Sequence, residues 1–84
     1  MEEKKKPQVL VLSTQEDDWE QLWINGKLRD EGHHIDKNDI WRKGIEYGFG
    51  PDDIVYRDLD DEDEERAMKS GSMPNNAFEK YYKI

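Results

Sequence analysis

Three groups of side chains in this sequence are of the types from which sites are made. Adjacent His33 and His34 stand between Glu31 and Asp36, a mix of imidazole and carboxylate able in principle to hold a metal or move protons. The stretch Asp58-Leu59-Asp60-Asp61-Glu62-Asp63-Glu64-Glu65 is acidic at every position but Leu59 and could meet a cation or a basic surface. Near the end, Ala77, Phe78, Tyr81 and Tyr82 recur at helical spacing and would give a helix an aromatic face.

Each pattern also carries its own limits. Neighbouring residues on a strand point to opposite faces, so His33 and His34 cannot both ligate one ion without a bulge, and no H-x-E spacing accompanies them. Counted as an EF-hand loop from Asp58, the acidic run has Asp63 where glycine is needed and Lys69 where the bidentate glutamate belongs. Serine occurs only as Ser13, Ser70 and Ser72, cysteine is absent, and no glycine loop cradles phosphate. The sequence therefore predicts no catalytic residue, no metal site and no cofactor, and the chain is not read as an enzyme.

Charge narrows the class of partner. Over 84 residues the formal net charge is -8, and the pI is about 4.7. Direct binding to nucleic-acid phosphate would be repulsive, and a basic partner is favoured. No apolar run approaches the roughly 18 residues of a membrane span, and no signal-peptide core follows Met1 to Pro7, so a cytoplasmic protein of a bacterial host is expected, with no membrane contact. With 33% apolar and 40% charged residues the core must be thin. Trp19, Trp23 and Trp41 are read as part of it, since few other residues could build one.

These residues need elements to position them. The clearest local signal is Asn25-Gly26 between two extended runs, because a type I′ hairpin turn needs positive φ at both central residues. Counting outward pairs Ile24 with Lys27, Trp23 with Leu28, Leu22 with Arg29, Gln21 with Asp30 and Trp19 with Gly32. One face then carries Trp19, Trp23 and Leu28, and the other Leu22 and Ile24. Gln8 to Ser13 reads as a strand buried on both faces, and Ile54 to Leu59 as a fourth strand at an edge. Between them, Asp36 to Tyr47 has helical period, with Asp36 as N-cap, Ile35 and Ile40 as a hydrophobic staple and Gly48 at C′. Its apolar stripe is Ile40, Trp41, Gly44, Ile45 and Gly48, with Gly44 placed for close approach to the sheet. The acidic run leads into Arg66 to Ser70, whose order of charges suits a helix dipole although such a helix would bury little. A last short helix would be capped at Asn75 or Asn76.

The hairpin W-x-x-L-W-x-N-G-K-L-x-x-E-G-H, Trp19 through His33, followed by an amphipathic helix, resembles a pattern in small uncharacterised phage and bacterial proteins. The resemblance covers the central third of the chain and implies a mobile-element origin and a small α+β domain. It carries no functional residue across.

The expected architecture is α+β, in the order β-β-β-α-β, with a mostly antiparallel sheet and one helix packed over Trp19, Trp23 and Leu28. Residues 1–7 form a charged arm, 8–59 the core domain, and 60–84 the acidic segment and aromatic helix. The expected function is a non-enzymatic interaction module, a phage-type inhibitor docking on a basic patch of a host protein, with an acidic surface that could imitate DNA. Its partner-binding residues would be Asp58, Asp60, Asp61, Glu62, Asp63, Glu64, Glu65, Phe78, Tyr81 and Tyr82. Two alternatives stand beside it: an oligomer sequestering a small ligand or nucleotide between subunits through Trp and His, and an assembly accessory whose aromatic helix joins copies.

Overall fold

The computed structural model describes residues 6–16, 18–74 and 76–82. Most of the expected N-terminal arm and the candidate cap Asn75 lie outside the described residues. The elements run β1 (Val9–Ser13), β2 (Glu20–Ile24), β3 (Lys27–Gly32), α1 (Lys37–Tyr47), a 3-10 turn at Pro51–Asp53, β4 (Ile54–Asp58), α2 (Asp61–Ser70) and α3 (Ala77–Tyr82). The four strands form one sheet in the order β3-β2-β1-β4, antiparallel except where β1 meets β4 in parallel. The small α+β domain expected from the sequence is therefore the fold observed.

β1 lies inside the sheet and is buried along its whole length, as its unbroken apolar run requires. Its alternation sorts the core into two layers. Val9 and Val11 join Leu22, Ile24, Ile35, Ile40 and Phe49 on the face that carries α1. Leu10 and Leu12 join Leu59, Ala77, Phe78 and Tyr81 on the other, which α3 covers.

Asn25 and Gly26 have φ of 52° and 81°, as the hairpin turn demands. Asn25 also ties the turn to the start of β1, its Oδ1 accepting from the Gln8 N–H at 2.9 Å. The pairing follows the predicted register only from Ile24–Lys27 to Trp23–Leu28. There the register shifts, and Leu22 pairs with Asp30, Gln21 with Glu31 and Glu20 with Gly32. Arg29 is the extra residue of a β-bulge, which two-residue counting cannot foresee. Its guanidinium lies 5.8 Å from the centre of the Tyr47 ring.

α1 starts and stops where its caps predicted. The Asp36 carboxylate accepts from the Asn38 N–H at 2.8 Å, and Gly48 takes the left-handed conformation at φ 85°. Ile40 and Gly44 face the core, but Trp41 is 60% and Ile45 86% exposed, so half of the expected stripe faces outward. Gly44 does mark a close approach, although to a different neighbour: a Cβ there would lie 2.7 Å from the Phe49 carbonyl oxygen, not against the sheet. The residues expected beneath this helix also change sides. Leu22 and Ile24 lie under α1, while Trp23 packs with the opposite layer.

Candidate functional site

A concavity lies on the face opposite α1, between the β2–β3 hairpin, α2 and the loop that follows α2. It has a volume of about 560 Å³, within the range of small-molecule sites, about 300–1,000 Å³. Trp19, Trp23 and Leu28 line the hairpin side, and Met68 and Met73 the helical side. The bulge at Arg29 determines which acid joins them. It puts Glu31, not Asp30, opposite Gln21 on the face shared with Trp23.

Side-chain hydrogen bonds hold this wall in place. Trp23 Nε1 donates to Gln21 Oε1 at 3.1 Å, and Gln21 Nε2 donates to Glu31 Oε1 at 3.3 Å. Trp19 Nε1 donates to the same Glu31 oxygen at 3.2 Å. The His33 ring stands edge-on to Trp19, 5.1 Å between centroids, with Nδ1 3.2 Å from the Asp18 carbonyl oxygen. His34 goes elsewhere, to within 3.2 Å of Glu20. The two histidines thus have separate surroundings, and among the described residues no group of three His, Asp or Glu side chains converges on a point that could hold a metal.

Charge gives the cleft its character. Glu16, Asp18, Glu31 and Glu64 line it, and among the described residues of its wall there is no lysine or arginine. Glu64 reaches it from α2, where its carboxylate also accepts from the Gln15 N–H at 2.8 Å. Gln15 fastens the start of α2 as well, donating from Nε2 to the Leu59 carbonyl and to Asp61, both at 2.9 Å.

The acidic run itself is largely spoken for within the chain. Asp60 caps α2, its side chain accepting from the Asp63 N–H at 2.8 Å. Glu62 pairs with Arg66 at 2.6 Å and Glu65 with Lys69 at 2.8 Å, both one turn apart along the exposed side of α2. Asp63 is buried, bound by Lys80 Nζ at 2.7 Å and by the Tyr81 hydroxyl at 2.6 Å. Those two donors, Lys80 first, hold its carboxyl below the usual range. The Asp63 N–H, followed by Lys80, does the same for Asp60. In return Lys80 is raised, mainly by Asp63 and then Asp60, and burial, aided by Asp63, pushes Tyr81 up to about 12.

Of the residues expected to meet a partner, Asp58, Asp60, Asp61, Glu62 and Glu65 are exposed and Glu64 is half-buried in the cleft. Phe78 and Tyr81 belong to the chain's own core, and Tyr82 is half-buried, its ring stacked on Phe78 at 4.8 Å. The aromatic face of the last helix is therefore turned inward, onto Leu10, Leu12 and Leu59, a layer that Trp23, Val55, Ala67 and Met73 also help to cover. Sequence reasoning saw that Trp19, Trp23 and Leu28 share a face but assigned it to α1. It weighs Glu31 only beside the histidines, because the bulge hides its place with the tryptophans, and it misses Met68 and Met73, isolated apolar residues in a polar stretch.

No protein-family model, curated protein or solved structure matches this chain. The site is therefore interpreted from its own chemistry.

Proposed function

We propose that this chain is a non-enzymatic interaction module whose partner is a basic surface of another protein. The observation that carries the reading is the cleft: tryptophan and methionine surface edged by four carboxylates, with no lysine or arginine among its described lining residues. Its neighbour α2 extends the same sign of charge through Asp61, and the exposed Asp58 and Asp60 precede it. Apolar anchors inside an acidic surround would give a basic partner both affinity and rapid, steered association. As a cellular role we propose inhibition of a host protein by occupation of its basic patch, in keeping with the resemblance of the hairpin to a pattern in small phage and bacterial proteins.

The ligand-sequestering alternative gains one observation, since Trp19, Trp23 and His33 come together in one cleft of a single chain and need no second subunit. A tagged copy expressed in its native host tests the main reading. The expected result is a basic protein identified by mass spectrometry, whose retention falls as salt rises and is lost in Glu31→Lys. Retention unaffected by salt and by that substitution, or a shift in thermal stability with a small metabolite and no protein partner, would overturn it.

A further inference from the structure

The chemistry of the cleft points to the group it receives, if the chain is the interaction module proposed above. Both indole N–H groups are already donated, Trp19 to Glu31 and Trp23 to Gln21. The two rings therefore offer a visitor only π surface and hydrocarbon. Glu31 keeps acceptor capacity beyond the two donors that orient it, since an ionised carboxylate has about four lone-pair sites. A nucleotide or other anion would meet Glu16, Asp18, Glu31 and Glu64 with no lysine or arginine to offset them. An aliphatic visitor would shield those carboxylates from water without offering them a donor.

What fits is a cation with a flat, weakly hydrated face and several donors. We propose that the cleft takes an arginine side chain from a basic segment of the partner, its guanidinium stacked on Trp19 and Trp23 and hydrogen-bonded to Glu31. Arginine suits the site better than lysine because its plane stacks on indole while its fork reaches a carboxylate, whereas a compact ammonium holds its water more tightly. The rings are only half-buried and the cleft is open, so the group must tolerate some remaining solvent. Met68 and Met73 on the opposite side supply adaptable surface for the aliphatic stem.

The chain provides its own control, because the third tryptophan, Trp41, stands on α1 across the sheet. A 15N-labelled sample is titrated with a blocked Arg-Gly repeat peptide, and in parallel with its Lys-Gly counterpart, while the three indole N–H signals are followed. The arginine peptide should move the Trp19 and Trp23 signals and leave Trp41 in place, and should bind more tightly than the lysine peptide. Glu31→Gln should weaken it about tenfold through loss of a charge-assisted hydrogen bond. Glu46→Gln, the same change of charge on α1, should leave it within about twofold, as expected for a remote exposed charge. Equal binding of the two peptides, or equal weakening by the two variants, would overturn the proposal in favour of diffuse charge attraction. Binding that leaves Trp19 and Trp23 unmoved would overturn it while leaving the interaction module standing. If neither peptide binds and the native host yields no basic partner, both fall together.

Discussion

At the scale of single residues, the most strongly perturbed groups belong to the clasp between α2 and α3, not to the cleft. Asp63 is buried among Lys80 and Tyr81, and Tyr81 also accepts from the Asp60 N–H at 3.0 Å. Tyr81→Phe removes the donor to a buried carboxylate and the acceptor of a backbone N–H, which should cost about 1–3 kcal/mol, measured by urea unfolding. The pH dependence has two signs. Asp60 and Asp63 are lowered on folding, so their contribution is complete above the ordinary carboxyl range, near 3.9, and is lost as pH falls through their depressed values. Lys80 and Tyr81 are raised, so their contribution is complete below the ordinary values near 10 and is lost as pH rises, for Tyr81 through about 12. Thermal unfolding across pH should therefore show loss at both ends, and Asp63→Asn should flatten the acid limb. None of this was legible in the sequence. An acidic run reads as a solvated face, and only the fold reveals that Lys80 and Tyr81 turn back onto Asp60 and Asp63.

At the scale of elements, local signals carried furthest where the element is fixed by its own caps and turns. α1 runs between Asp36 and Gly48 because an N-cap carboxylate and a left-handed glycine decide it within a few residues of sequence. What the period could not give was which part of the stripe is buried. A helix lying over a four-stranded sheet buries a narrow stripe: Ile40 enters the core and Gly44 is covered by Phe49, while Ile45 is left 86% exposed. Two substitutions on this helix should then go against sequence intuition. Gly44→Ala gains about 1 kcal/mol in helix propensity, yet the new Cβ would lie 2.7 Å from a backbone oxygen that has no rotamer to change. The expected outcome is net destabilisation, seen as a lower melting temperature. Ile45→Glu, which would cripple a core position, should change stability by no more than about 0.5 kcal/mol. The hairpin shows the same boundary of legibility, since its turn was set by Asn25-Gly26 and its register held as far as the bulge. Past Arg29 the pairing depends on tertiary packing, and with it the identity of the acid in the cleft.

At the scale of the whole molecule, the question is whether residues 60–82 are an attachment or part of the fold. The sheet has two apolar faces because β1 is apolar at every position from Val9 to Leu12, and one helix can cover only one of them. The sequence announced that need in the unbroken run of β1, but it did not say that the aromatic spacing of Phe78 and Tyr81 was the answer to it. With α3 in place Leu10 and Leu12 are fully buried; without it the layer they form with Leu59 would lose Ala77, Phe78 and Tyr81 and keep only the partial cover of Trp23, Val55, Ala67 and Met73. Phe78→Ala should accordingly cost about 3–5 kcal/mol, a large part of the roughly 5–15 kcal/mol that a whole domain has to lose. A chain ending at Met73 should lose cooperative unfolding altogether and bind a hydrophobic dye, as exposure of that layer requires. A truncated chain that keeps a sharp, dye-free transition would show that the residues up to Met73 fold without α3. The same cut bears on function, because α2 is held to the body partly through Asp60 and Asp63 gripping Lys80 and Tyr81. Loss of α3 should loosen the helical wall of the cleft, so binding of a basic peptide should weaken even though no residue of α3 lines it.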